Sequence, residues 1–152
     1  MKILVDADSC PKPARDLILK TALRRKLRAI FAANRPIAGI GGPGGYALME
    51  LCPAGEGAAD DRIVALAEPG DLAVTRDIPL AARLVEASVL VIDDRGQAYT
   101  RENIRERLSL RDFRVGLAEN GLGTERTAVY GRKELKTFAD ALDRALVKCG
   151  RG

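Results

Sequence analysis

Short apolar runs alternate along this chain with stretches of helical periodicity, and that alternation limits its fold more than any other feature. A strand covered on both faces reads as an unbroken Val, Ile and Leu run, and helices between such strands act as crossovers. Lys2 to Asp6, Arg28 to Ala33, Tyr46 to Cys52, Leu72 to Thr75 and Val89 to Ile92 read as strands. Pro13 to Lys26, Ala58 to Ala67 and Pro79 to Ala87 read as helices between them. In the first helix Leu17, Ile18, Ala22 and Leu23 recur at helical spacing, and Arg24, Arg25 and Lys26 complement the dipole at its end. The expectation is an α/β fold, a mostly parallel central sheet flanked by helices in three layers.

Between and after these elements the chain is punctuated. Asn34 to Gly45, with its run of glycines around Pro43, reads as a loop, and lacks the Gly-Lys-Ser or Gly-Lys-Thr ending of a phosphate-binding loop. Asp93 to Gly96 is a turn. Thr100 caps a helix running to about Ala118, with Asn103 at its third position. Glu119 to Thr127 reads as a loop, and Arg132 to Val147 as a last helix with Leu135, Phe138, Ala139, Leu142 and Leu146 inward. At 152 residues the expected organisation is one domain over 1–152. No stretch is long and apolar enough to span a membrane and no signal-peptide pattern opens the chain, so the expected location is cytoplasmic, away from any membrane.

What is missing narrows the chemistry. The chain has no His, which rules out Ser-His-Asp hydrolases, HExxH metalloproteases and His-ligated zinc. Its three cysteines, Cys10, Cys52 and Cys149, form no CxxC pair, so neither a zinc ribbon nor a disulfide framework is expected. Cys10 reads as a small buried filler. Any metal must then be held by oxygen, which favours Mg²⁺ or Mn²⁺. A net charge of +4 is compatible with a nucleic-acid or phosphorylated partner.

Acids cluster where strands end. Asp6 and Asp8 leave the first strand with one residue between them, Asp60 and Asp61 open a helix, Asp77 follows a later strand, and Asp93 and Asp94 end the last. In a parallel sheet the strand ends share one rim, and ligands bind there. Carboxylates gathered on that rim repel one another, and a divalent cation offsets the repulsion. Each acid also has a purely structural reading. Asp6, Asp8 or Ser9 could cap the first helix and Asp77 a later one, while Asp60 and Asp61 suit a helix dipole and Asp93 and Asp94 a turn. Metal-held carboxylates suit in-line phosphoryl chemistry, and hydrolysis by this route needs no His.

Several blocks of the chain, in order, resemble the bacterial YaiI/YqxD family of uncharacterised proteins. They are Val5-Asp6-Ala7-Asp8-Ser9-Cys10-Pro11, Pro53-Ala54-Gly55 with Ala59-Asp60, Gly70-Asp71-Leu72, Thr75-Arg76-Asp77-Ile78-Pro79-Leu80-Ala81, Arg95-Gly96 with Tyr99-Thr100, and Glu102 to Leu108. The resemblance runs from Met1 to about Leu146. It implies a fold related to the PIN and NYN nucleases, with an acidic metal site that cleaves RNA. Carried over, Asp6, Asp8, Asp60 and Asp77 are the implied metal-holding and catalytic residues, and Thr75 and Asn103 stand behind them. The resemblance also implies one departure: relatives commonly carry Asp where this chain has Gly57, with Glu56 or Asp61 as compensating acids.

Two other readings remain open. Ile3 to Ser9 resembles the first motif of haloacid-dehalogenase-like phosphatases, with Asp6 as nucleophile and Asp8 as acid/base, and Leu72 to Thr75 resembles the second. A metal- or nucleic-acid-binding module without turnover is the third. Arg76 and Arg95, next to strand ends, are expected to contact a substrate phosphate or to neutralise the acids. Arg107, Arg111 and Arg114 share a helix face, readable as a phosphate track for RNA or as a solvated surface partnered by Glu102, Glu106 and Asp112. With Asn103, Arg76, Arg95 and Arg107 are the expected substrate-binding residues.

Overall fold

A computed structural model describes residues 1–41, 45–55, 57–119 and 129–150, with backbone alone for 115–119. Eleven elements follow one another: β1 (Lys2–Asp6), α1 (Lys12–Arg25), β2 (Arg28–Ala33), β3 (Ala47–Leu51), α2 (Ala58–Leu66), β4 (Leu72–Val74), α3 (Ile78–Glu86), β5 (Leu90–Ile92), β6 (Ala98–Tyr99), α4 (Ile104–Glu119) and α5 (Arg132–Gly150). Six strands form one sheet in the order β3-β2-β1-β4-β5-β6. The first five pair in parallel and only β6 runs antiparallel, beside β5. The expected mostly parallel three-layer α/β architecture is what the chain adopts.

The layering follows from the period of two along each strand. Ile3, Val5, Phe31, Leu72 and Val74 face one side and pack with Ala14, Ile18 and Ala22 of α1 and Phe138, Leu142 and Leu146 of α5. Leu4, Ile30, Ala32, Ala73 and Val91 face the other and meet Ile63 of α2 and Leu80, Leu84 and Val85 of α3, with Ile104 of α4 at the margin. Strands buried from both sides need no polar alternation, which is why their runs are apolar throughout.

The structure departs from the sequence reading in small ways, each with a local cause. The chain after the Asp93–Gly96 turn doubles back as β6, a strand of two residues, too short to carry a periodic signal. Asp93 holds that turn, its Oδ1 accepting from the Arg95 and Gln97 amides at 2.9 Å each. Thr100 and Asn103 cap the following helix reciprocally: Asn103 N donates to Thr100 Oγ1 at 3.2 Å, and Thr100 N donates to Asn103 Oδ1 at 2.8 Å. Leu23, expected inward, is 61% exposed, because α1 is covered only where it meets the sheet and α5. The expected loop over Glu119 to Thr127 begins at the last residue of α4 and otherwise lies outside the described residues. Among the described residues no helix is long and apolar enough to cross a membrane.

Candidate functional site

The strand order runs 3-2-1 in one direction from β1 and 4-5 in the other, so β1 and β4 flank the point where the crossovers change direction. In open α/β sheets the crevice beyond the strand ends at that point receives ligands. Here it is a cavity of about 760 Å³ lined by Asp6, Asp8, Asp60 and Asp77, with Arg76 and Arg114 at its wall. All four carboxylates expected to act together therefore share one space. They arrive from three places: the end of β1, the first turn of α2 and the start of α3.

Each acid is placed by a distinct contact. Asp6 is buried, and its Oδ2 accepts from Ser9 Oγ at 3.0 Å and Thr75 Oγ1 at 2.9 Å. Thr75 Oγ1 also accepts from the Asp77 amide at 3.0 Å, which ties the β1 rim to the β4 rim and puts Thr75 in the supporting place expected for it. Asp77 caps α3, with Oδ1 accepting from Leu80 N at 3.0 Å. Its structural and functional readings are thus compatible. Asp8 is exposed, and its Oδ2 accepts from Asn34 N at 3.2 Å. The capping reading of Asp6, Asp8 and Ser9 is overturned: the α1 N-cap is Pro11, and no side chain caps that helix.

Crowding shows in the electrostatics. Burial, then the nearby Asp77 and Asp6, push the Asp60 carboxyl up to about 6. The Asp6 carboxyl is also raised, chiefly by burial, against the opposing hydrogen bonds from Thr75 and Ser9 and with Asp77 and Asp8 adding to the rise. Among the described residues none of the four makes an ion pair, although Asp16, Asp61, Asp71, Asp94 and Asp143 all do. The donor set is oxygen throughout, which suits a hard divalent cation. The described residues contain no group of three acids or thiols already arranged as a cation cage, so binding would draw the carboxylates inward.

Gly57 lines the same cavity and is the N-cap of α2, with φ at +79°. A Cβ there would meet nothing within 4 Å, so the position has space for the carboxylate that the resemblance leads one to expect. Asp61 turns away to Arg83, 2.9 Å from its Nη1, and does not fill that place. Glu56 lies outside the described residues.

The expected substrate-binding residues divide. Arg76 lines the cavity, yet its Nε lies 3.3 Å from Asp94 Oδ2 and donates to Ser9 O at 3.3 Å. Arg95 is not part of the wall, and its guanidinium lies 5.9 Å from the centre of the Tyr130 ring. Asn103 is occupied by its cap, with Nδ2 also donating to Ala98 O at 3.0 Å. Asn103 and Arg107 line a neighbouring groove instead, of about 370 Å³, and Arg114 borders both spaces.

Two features escaped the sequence reading, the place of Asn34 and the burial of Asp94. Asn34 follows β2 and so stands on the ligand rim, a signal that strand-end position alone would have supplied. Asp94 is only 1% exposed and neither of its oxygens has a hydrogen-bond partner, leaving Arg76 as its neutralising neighbour. Its burial is invisible in a local Asp-Asp-Arg-Gly pattern. Asp94 also bears on Cys10, whose thiol is pushed up to about 12 by burial and by that carboxylate, so Cys10 is the inert filler expected of it.

The family described as "Uncharacterized BCR, YaiI/YqxD family" matches residues 4–148. A UPF0178 protein of Treponema pallidum (strain Nichols) is 47% identical over 148 residues, 97% of this chain and 82% of the relative. One from Myxococcus xanthus is 46% identical over 149 residues, covering 97% and 95%. One from Pseudomonas putida (strain W619) is 40% identical over 154 residues, covering both chains entirely. No solved structure matches the chain, so the relation to PIN and NYN nucleases rests on the resemblance alone.

Proposed function

We propose that this chain, which belongs to the YaiI/YqxD family, is a divalent-metal-dependent phosphodiesterase acting on RNA. The observation that carries the reading is the set of four carboxylates, without an ion pair among the described residues, on one cavity at the switch point of the sheet. Gathering acids of which Asp6 is buried and Asp60 and Asp77 are half-buried is costly unless something positive sits among them. Asp6, Asp8, Asp60 and Asp77 would hold Mg²⁺ or Mn²⁺, which offsets charge on a phosphodiester and lowers the pKa of water.

The chain's own groups supply the rest. Ser9 and Thr75 aim Asp6 into the cavity through Oδ2. Arg76 and Arg114, at the wall, meet the non-bridging oxygens of the phosphate. Asp60, raised to about 6 by burial and by Asp77 and Asp6 when no cation is present, would be held as the anion by one, and the attacking water gives its proton to solvent. In the net reaction a water oxygen bonds to phosphorus, the bond to the leaving ester oxygen breaks, and that oxygen takes a proton from solvent. An RNA substrate would fit the cytoplasmic location expected of the chain.

The test is a Mn²⁺ titration of the wild type and Asp6→Asn against labelled single-stranded RNA and a generic phosphate monoester. The expected result is metal-dependent RNA cleavage that falls on the order of 100-fold in Asp6→Asn. Monoester turnover through a trapped aspartyl-phosphate at Asp6 would overturn the reading in favour of a phosphatase. Metal binding without turnover of either substrate would leave a binding module.

A further inference from the structure

The groove beside the acidic cavity takes Gln97, Leu110, Arg107, Arg111 and Arg114 into its wall, with Glu106 as the one acid among its lining residues. Its three cations are held in different ways. Arg107 is held by neutral partners: its guanidinium lies 4.7 Å from the centre of the Tyr99 ring, and Nη1 donates to Gln97 Oε1 at 3.1 Å. The positive charge is thus fixed in place without being cancelled. Arg111 reaches only Asp112, at 3.6 Å between two exposed side chains, a contact of little energetic weight. Arg114 makes no ion pair among the described residues and borders both the groove and the acidic cavity.

Arg107 to Arg114 spans two turns of α4, about 10 Å of helix axis. Along the same stretch Leu110 is 48% exposed and Phe113 is 64% exposed, three residues apart on one face. Fixed guanidinium groups that track a backbone, next to exposed apolar and aromatic side chains on which bases stack, are the elements of sequence-tolerant single-strand binding. A duplex keeps its base faces stacked internally and has no use for such a platform.

We propose that this α4 groove binds single-stranded RNA, Arg107 and Arg111 contacting phosphates outside the scissile one, and that Arg114 carries the strand across into the acidic cavity. The inference deepens the phosphodiesterase reading and rests on it for the direction of the strand, while binding itself does not depend on turnover.

The experiment measures anisotropy of a fluorescein-labelled 12-nucleotide single-stranded RNA in EDTA, over a series of salt concentrations. Arg107→Gln combined with Arg111→Gln should weaken binding about 10-fold at low salt and flatten the slope of log affinity against log salt by roughly 1.4. Arg24→Gln with Arg25→Gln removes equal charge from the opposite layer, where both arginines sit near Asp143, and should change affinity less than about 2-fold. Equal losses from the two double variants, or no loss from the groove variant, would overturn the groove. A duplex of the same sequence binding as tightly would overturn the single-strand assignment. Because Arg107 also packs on Tyr99, Arg111→Gln alone, at an exposed position, carries the test if the double variant loses stability. RNA held by the groove but left intact with Mn²⁺ would sink the catalytic reading and spare this one; RNA cleaved with unchanged groove affinity would do the reverse.

Discussion

Asp71 and Asp6 stand at opposite ends of paired neighbouring strands, since Ile3 lies beside Leu72 and Val5 beside Val74. Both are buried, and the chain treats them oppositely. Asp71 is saturated: Lys2 Nζ lies 2.6 Å from its Oδ2, Lys2 N donates to Oδ1 at 3.1 Å, and Glu68 N donates to Oδ2 at 2.9 Å. Asp6 has only hydroxyl donors and sits among three further acids. One rim of the sheet is thus closed with a matched charge pair, and the other is left with unmatched negative charge. The carboxylate at the amino rim ties β1 to β4 through a charge pair, whereas the one at the carboxyl rim does so through the neutral Thr75 hydroxyl alone.

The largest effect should come from breaking the closed rim. Asp71→Ala leaves the Lys2 ammonium, only 14% exposed, with exposed Glu68 at 3.0 Å as its remaining partner, and should cost about 3 kcal/mol, on the order of 10 °C in Tm by calorimetry. No comparable loss is expected from Asp6→Asn, and an equal loss there would make Asp6 a structural residue. Next is ligand linkage. Mn²⁺ at about 100 times its Kd should stabilise the wild type by roughly 2.7 kcal/mol in thermal unfolding. The shift should vanish in Asp6→Asn and persist in Asp71→Asn, which sharpens the contrast between rims.

A smaller effect concerns pH. The folded Asp60 carboxyl is raised from 3.8 to about 6, so folding favours its protonated form. The stability that this supplies is complete below about pH 4 and lost as pH rises through 6. Metal-free Asp60→Asn should therefore melt higher than wild type at pH 8, with the gap closing below pH 4. A gap of opposite sign would mean that Asp60 is stabilised as an anion. The smallest effect should be that of Gly57→Asp. With φ at +79° and open space around the Cβ, it should cost about 1 kcal/mol in stability and raise Mn²⁺ affinity in a calorimetric titration. Unchanged affinity would show that position 57 is not a missing ligand.

Much of this molecule is legible along the chain. β2 falls on Arg28–Ala33 as expected, because six consecutive residues alternate between two covered faces and leave no competing pattern. Asp6, Asp8, Asp60 and Asp77 are found together because each follows a strand or opens a helix on the same rim of a parallel sheet. β6 was illegible because two residues carry no period. Asn103, expected behind the acids, and Arg107, expected on a phosphate track beside them, both line the adjoining groove, a placement that depends on how the chain turns back at β6. Asp94 was missed because its burial depends on what packs over the turn, including Tyr130, whose hydroxyl donates to Asp94 O at 2.6 Å across 36 residues.

By itself the sequence determined the parallel α/β layering and the set of acids on its rim, since periodicity and strand ends are local properties. Tertiary structure decided which charges meet. It matched Asp71 with Lys2, drew Arg76 to Asp94 and Asp61 to Arg83, and left Asp6, Asp8, Asp60 and Asp77 without an ion pair among the described residues. Coulomb energies depend on separation and on the surrounding dielectric, and neither exists until the elements have packed.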